Sequence, residues 1–482
     1  MKTSFNERFH GSLYLMLQLL RNRPVGPFIR RLQAWERLDR PAFERLTRER
    51  LLETLRYARE RVPLYSSEAW REAFSRSTPD DLLSWPVLER DTVRTRRAEL
   101  LTIADRQIPG LLYRNSSAST GKPLQVALNS HAAAWSWANE YRAMLWYGVP
   151  IGAKTLMLWG YTNTILDWVR NRKTLVTTSF TPSRVEEAAR YLIQQRPKIC
   201  WGLPSAIAQL ARYVRAAYPD APQPLVSYVR LGGEQVYPFQ REEITRHLGA
   251  RVIEAYGCTE VGAIAQECPM GSLHIFAEHV HLEILRDGEP AAPGEFGDIV
   301  VTSLTNKAMP LIRCRIGDRG ILSPEPCPCG LPHPVLSSLE GRAADLFLAA
   351  DGSKIHGSTL GHALQSFFAK VPLGVIQLVL FQQVDQWNWK VLVESRDGFN
   401  EALASQLTDI VRSVYGKDCN IKIEHVPMIP REASGKFRYY RPIRNLKPAA
   451  GQAESLSEDV ALSKRCSLYS SLDSVDHEMM NK

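Results

Sequence analysis

The sequence predicts an α/β protein with a large N-terminal α/β unit and a small mobile C-terminal α+β unit. Three observations carry this reading. The chain has 482 residues, 44% apolar and 23% charged, the composition of a globular chain of more than one domain. From about residue 100, short apolar runs alternate with amphipathic stretches, as a largely parallel sheet with crossover helices requires. After Gly341 a second, smaller alternation begins.

Residues 1–62 come first. They are helical in pattern and basic, with 14 Lys/Arg against 7 Asp/Glu, and so hold +7 of the net +9. A near-neutral remainder excludes a nucleic-acid binder. The stretch Leu13–Leu20 is too short to span a bilayer. Followed by Arg21, Arg23, Arg30 and Arg31, it can lie on an anionic membrane, contact a protein partner, or cover the next domain through an apolar stripe. The last is the commoner case. A homodimer is compatible with the chain.

The large unit is expected over 63–340. Strands are read at Thr155–Leu158, Ser227–Leu231 and Arg251–Ala255, helices at Pro182–Gln195 and Pro204–Ala217, and β-rich segments at 281–285 and 298–304. The small unit, 341–446, reads as strands Val375–Gln382, Trp389–Glu394 and Asn420–His425 with a helix over Phe399–Val414. Residues 447–482 are Ser-, Glu- and Asp-rich without periodicity and read as a disordered tail. Eight cysteines are too few for a disulfide scaffold, and no cleavage signal follows Leu20, so a cytoplasmic location is expected.

Five strings carry the chemistry. Ser116-Ser117-Ala118-Ser119-Thr120-Gly121-Lys122-Pro123 combines hydroxyls, backbone N–H groups and a lysine, a combination that can cradle phosphates. It is not a Walker A loop: Ser116 stands where the first Gly belongs, and Pro123 where Ser or Thr belongs. Tyr256-Gly257-Cys258-Thr259-Glu260 follows a strand, at the end where open α/β sheets bind ligands. Tyr256 offers a flat face to a base, Gly257 lets the backbone approach closely, and Glu260 is a hard oxygen ligand for Mg²⁺. Any one such string is more often an ordinary strand-to-helix turn. Arg313–Asp318 places Asp318 where it could hydrogen-bond a ribose diol; Gly341-Arg342-Ala343-Ala344-Asp345 falls at the domain boundary, and Ser434-Gly435-Lys436 near the end of the small unit.

In this order and spacing, the five strings resemble the adenylate-forming (ANL) superfamily, in its phenylacetate–CoA ligase-like branch with CapK-type members, over roughly residues 40–445. The resemblance implies that Ser116, Ser117, Ser119, Thr120, Gly121 and Lys122 hold the β- and γ-phosphates of ATP, and that Gly232, Gly233 and Glu234 line the adenine site. It implies that Tyr256 stacks on adenine beside Gly257, Thr259 touches the α-phosphate, and Glu260 binds Mg²⁺. Asp318 would hold ribose with support from Arg342, and Lys436 would reach the reacting carboxylate. The implied reaction activates a small carboxylic acid as acyl-AMP and transfers the acyl group. The acceptor implied first is coenzyme A, with an aryl or arylacetic acid as substrate; an amide-forming ligase using an amine and a non-catalytic relative in a biosynthetic complex are the alternatives. Two departures bear on this: Ala118 replaces a loop glycine, and Ala344 replaces a hinge acid, with Asp345 next to it.

The loop 258–330 also carries a metal candidate. Cys327-Pro-Cys329 with the distant Cys268 and His274 could form a tetrahedral Zn²⁺ site without an open position, hence structural. Cys314, His279, His281 and His333 are rival ligands. Cys258 reads as a bystander rather than a nucleophile, since no base is evident. The aromatic cluster Trp135, Trp137, Tyr141, Trp146 and Tyr147 is either core or an acyl pocket, core being commoner at helical spacing.

Overall fold

A computed structural model describes residues 4–75, 81–102, 111–116, 124–342, 346–372, 375–395 and 398–443. The residues read as a tail, 447–482, lie outside these.

Three helices open the chain: α1 (Phe5–Leu20), α2 (Val25–Trp35) and α3 (Arg40–Arg61). Ser4 and Glu7 cap α1 reciprocally, and Asp39 with Pro41 starts α3. Short helices α4 (Glu68–Ser75), α5 (Arg90–Thr95) and α6 (Arg97–Leu100) lead to a hairpin of β1 (Leu112–Asn115) and β2 (Gln125–Leu128). Helix α7 (Ser130–Leu145) follows, its first turn closed by the Asn129 side chain accepting from Ala132 N.

The large lobe is then wound as β3 (Thr155–Trp159), α8 (Thr164–Val169), β4 (Arg172–Val176), α9 (Pro182–Gln195), β5 (Ile199–Gly202), α10 (Pro204–Ala217), β6 (Tyr228–Leu231), α11 (Pro238–Leu248) and β7 (Arg251–Cys258). Strands β3 to β7 are parallel in the order β7-β6-β5-β3-β4, so the winding reverses between β3 and β5. Ligands bind at such reversals, outside the carboxyl ends of the strands. The continuous apolar runs that predicted these strands have a simple cause: Leu156, Leu158, Cys200, Val229 and Leu231 are fully buried among apolar residues of α9 and α10.

Antiparallel strands β8 (Gly262–Glu267), β9 (Leu273–Ile275), β10 (Val280–Arg286), β11 (Glu289–Pro290), β12 (Gly297–Ser303), β13 (Cys314–Leu322) and β14 (Val335–Arg342) extend the same sheet. The small lobe comprises β15 (Leu346–Leu348), β16 (Lys354–His356), α12 (Ser358–Phe368), β17 (Ile376–Gln383), β18 (Asn388–Ser395), α13 (Glu401–Tyr415), β19 (Asn420–Val426) and β20 (Tyr440–Arg441). Its sheet order is β19-β18-β17-β20, with an apolar layer against the helices that includes Phe381, Val391 and Leu407.

The N-terminal helices cover the large lobe. Phe28 stacks on Trp135 at 4.4 Å and Tyr14 meets Tyr141 at 5.4 Å, so α2 and α1 use the aromatic side of α7 as their floor. Arg142 of α7 ties this layer together from a wholly buried position. It donates to Glu36 (2.6 Å), Glu278 (2.7 Å) and Asn139 (2.8 Å), and lies over the Trp146 and Phe276 rings. Beside Arg142, the Glu278 carboxyl is held well below its ordinary range. Removing the guanidinium would leave two largely desolvated carboxylates without their counter-charge. Arg142→Ala is therefore expected to destabilise the large lobe by about 3–5 kcal/mol in chemical denaturation, against less than about 0.5 kcal/mol for the exposed Arg246→Ala.

Candidate functional site

The strings of interest converge on one edge of the large sheet. Gly160 follows β3, Thr177 follows β4, Gly232-Gly233-Glu234 follows β6, and Tyr256–Glu260 spans the end of β7 and its turn. All lie at carboxyl ends of parallel strands, around the winding reversal.

The small lobe closes over this edge. Gly435, at φ +79°, is packed so tightly that a Cβ there would run into the Thr177 hydroxyl. A Cβ on Gly160 would run into the Ser434 carbonyl. Two glycines thus let two backbones touch, with Lys436 next in sequence and half-buried. One residue further on, Phe437 N donates to Glu234 Oε1 at 2.6 Å. Glu234 also accepts from Ser205 N and its hydroxyl, each at 3.0 Å. Arg431 donates to Ser205 Oγ (2.7 Å) and Gln209 Oε1 (3.0 Å). Burial between the lobes pushes the Glu234 carboxyl up, and the Arg431 charge opposes that shift. Beside this polar clamp the lobes share apolar surface: Phe239 stacks on Phe368 at 4.7 Å, and Tyr237 and Phe239 meet Tyr439 edge-on.

Across the edge, Tyr256 donates its hydroxyl to Asp318 Oδ2 at 2.8 Å. Strand β13 carries Asp318 and pairs Asp318 with Arg342 of β14. Burial, then the nearby Asp318 carboxylate, raises the Tyr256 phenol well above its usual range, so it remains a donor. Gly257 sits at a bulge of the β7–β8 pair, where a Cβ would meet the Gly262 carbonyl. Thr259 is half-buried in the turn. Glu260 is 2% exposed and ion-paired with Arg90 Nε at 3.0 Å. Arg90 also donates to the Ile316 carbonyl, two residues before Asp318.

Ser116 closes the β1–β2 hairpin: its hydroxyl accepts from Leu124 N at 2.8 Å, and its N–H donates to Leu124 O at 2.8 Å. Ser117, Ser119, Thr120, Gly121, Lys122 and Ala118 lie outside the described residues, as do Ala344, Asp345 and the side chain of Arg342. Burial and the Glu260 carboxylate push the Cys258 thiol up, which keeps it neutral and agrees with a bystander. Of the aromatic cluster, Trp135 and Tyr141 pack under the N-terminal helices, Trp146 donates to Glu36, and Tyr147 donates to the Glu267 carbonyl. They belong to the core.

Arg90, Ser205, Gln209 and Arg431 escaped the sequence reading. Arg431 stands five residues before Lys436 and could have been noticed as a second cation in the same loop. Arg90 and Ser205 lie in no recognisable string.

Cys268, His274, Cys327 and Cys329 form a separate cluster in which all four ligand atoms lie within 4.8 Å of one another. The Sγ atoms of Cys268 and Cys327 are 3.8 Å apart, and Cys329 Sγ is 3.2 Å from His274 Nε2. His274 Nδ1 faces the His333 carbonyl at 3.2 Å, which leaves Nε2 toward the sulfurs. Zn–S bonds of about 2.3 Å at tetrahedral angles put two sulfurs about 3.8 Å apart, so this donor set fits Zn²⁺. Among the rivals, His333 instead meets Arg142 and Glu278, and His279 meets Thr305 and the Val261 carbonyl.

Comparison with known proteins bears on this geometry. The CapK C-terminal domain family matches residues 347–442, the small lobe. A phenylacetate-coenzyme A ligase of Escherichia coli is 25% identical over 429 residues, covering 83% of this chain and 95% of the relative. The small lobe is thus similar to the CapK C-terminal domain, and most of the chain is similar to a phenylacetate-coenzyme A ligase. A Thermus thermophilus phenylacetate-coenzyme A ligase is 26% identical over 327 residues, 65% of this chain and 73% of the relative. The fold is that of a 2-hydroxyisobutyryl-CoA ligase solved in the postadenylation state with R3-HIB-AMP, at a TM-score of 0.69 and 18% identity, covering 85% of this chain and 91% of that one.

The seating of 434–437 depends on a residue without a side chain. Gly435→Val is expected to hold the small lobe away from Thr177. Limited trypsin digestion checks this: cleavage after Arg431 and Arg438 should become at least several-fold faster than in the wild-type chain.

Proposed function

We propose that the protein is an ATP-dependent acid–CoA ligase working through an acyl-adenylate. The observation that carries this is the docking of Ser434-Gly435-Lys436 onto the carboxyl ends of β3 and β4, on the same edge as the Tyr256–Asp318 pair. The relatives named phenylacetate-coenzyme A ligase support the reaction class and favour an aryl or arylacetic acid.

The residues divide the work as follows. Tyr256 lies against adenine, and Asp318 accepts from the ribose hydroxyls. The loop 116–122 holds the β- and γ-phosphates, and Glu260, which pairs with Arg90, would be the residue to hold Mg²⁺, which would supply positive charge against the phosphates. A carboxylate oxygen of the acid forms a bond to the α-phosphorus, and the bond to the bridging oxygen of pyrophosphate breaks. Lys436 offsets the negative charge gathering there, the term that lowers such barriers most. The coenzyme A thiol, giving up its proton, then attacks the acyl carbon and AMP leaves.

Lys436→Ala is expected to lower ATP–pyrophosphate exchange with a suitable aryl acid by about 10²–10³-fold, the usual cost of losing one charge-stabilising donor. Undiminished exchange would overturn the assignment. Mass spectrometry of the product formed with coenzyme A or with amines present separates thioester from amide, and absence of exchange over a broad panel of acids would point to a non-catalytic relative.

The Cys268–His274–Cys327–Cys329 cluster is proposed to hold structural Zn²⁺, tying the β8–β9 connection to the loop before β14. Elemental analysis should find one zinc per chain. Cys327→Ser with Cys329→Ser should release it and lower the melting temperature, while exchange per folded molecule stays within a few-fold of wild type.

A further inference from the structure

Helix α1 is turned inside out. The side facing the protein carries His10, Gly11, Tyr14 and Gln18, all buried. The opposite side carries Phe5, Phe9, Met16, Leu19 and Leu20, exposed by 81, 47, 52, 59 and 76%. At 3.6 residues per turn these five share an arc of roughly 100°, so they form one stripe. The helix is firmly docked with that stripe outward: a Cβ on Gly11 would strike the Ile151 carbonyl, and one on Gly152 the Glu7 carbonyl.

The stripe continues onto α8. There Ile165 and Trp168 are exposed by 64 and 61%. The His10 ring joins the two helices, edge-on to Trp168 at 5.5 Å, with its Nδ1 3.3 Å from the Val169 carbonyl. Helix α8 begins four residues after Gly160, the residue that touches Ser434. Phe9 of the stripe packs edge-on against the same His10 ring at 5.4 Å, so the exposed apolar residues of α1 and α8 flank one ring and lie side by side near the rim of the cleft. A continuous patch of this kind marks an interaction site.

Charge identifies the occupant. Residues 5–35 hold Arg8, Arg21, Arg23, Arg30 and Arg31 against the single acid Glu7, and Glu7 is engaged in capping Ser4. A second copy of this chain would bring the same cationic surface against itself. An anionic bilayer matches both properties: acyl chains receive the apolar stripe, a tryptophan suits the interface, and headgroups meet the exposed Arg8 and Arg30. No described helix is long and apolar enough to cross a membrane.

We propose that α1 and α8 form an interfacial surface that seats the protein on anionic bilayers, with the rim of the cleft at the headgroup level. The proposal does not depend on which reaction the cleft performs. Its test is co-flotation of the full chain with vesicles of phosphatidylcholine alone and of phosphatidylcholine mixed with phosphatidylglycerol, alongside sedimentation velocity without lipid. The expected result is binding to the mixed vesicles at least about tenfold stronger than to phosphatidylcholine, weakened by salt. Phe9→Asp/Met16→Asp/Leu19→Asp, all at exposed positions, should lose about tenfold or more with an unchanged circular dichroism spectrum, and Trp168→Ala should lose a smaller part. Failure of the wild-type chain to float with either vesicle would overturn the proposal, as would equal binding by the triple variant. A concentration-dependent dimer that the triple variant makes monomeric would assign the surface to a second copy instead.

Discussion

A single buried carboxylate, Glu234, sets how the two lobes meet. It sits after β6 in the large lobe and accepts a hydrogen bond from Phe437 N of the small lobe. Its other partner, Ser205, is shared with Arg431. A carboxylate taken out of water needs such donors, and here some of them come from the opposite lobe. The closed arrangement is therefore one in which a charge, a backbone amide and a guanidinium satisfy one another. Lys436, adjacent to the amide that Glu234 holds, is carried to the strand ends as a consequence. Gly435 and Gly160 make the approach sterically feasible, and Phe239 stacked on Phe368 adds an apolar contact between the lobes.

Much of this was legible in the sequence because buried parallel strands leave an unambiguous mark. Thr155–Leu158 and Arg251–Ala255 read as strands, and the structure places strands at Thr155–Trp159 and Arg251–Cys258. The helices Pro182–Gln195 and Pro204–Ala217 agree in both, since a proline fixes each first turn. The strings around Tyr256, Asp318 and Ser434 drew attention for reasons of chemistry, and they do share one edge. The roles of single residues were less legible. The resemblance puts Glu234 at a nucleotide site, and in this arrangement of the lobes its carboxylate accepts from Ser205 and Phe437. A carboxylate's partners depend on which backbone amides face it, and that is a tertiary fact. Arg90 lies some 170 residues before Glu260 in sequence, so only the fold brings them together.

The aromatic residues of α7 teach a related point. Trp135 and Tyr141 at helical spacing are compatible with a pocket or with a core. What decides is the presence of α1 and α2, which lay Phe28 and Tyr14 on them. Arg142, on the same helix, reaches Glu36 and Glu278 at once and so joins the N-terminal cover to the antiparallel half of the sheet. The basic N-terminal segment is an integral layer of the large lobe on its inner side, while its outer side is free to meet something else.

The separation of tasks between Lys436 and the sheet edge has an evolutionary consequence. The lysine is flanked by the Gly435 backbone packed on Thr177 and by the Phe437 amide held by Glu234, so its seat depends on few side chains. Sequence drift along the strand ends of the large lobe can therefore proceed while the backbone seat of 434–437 is inherited intact.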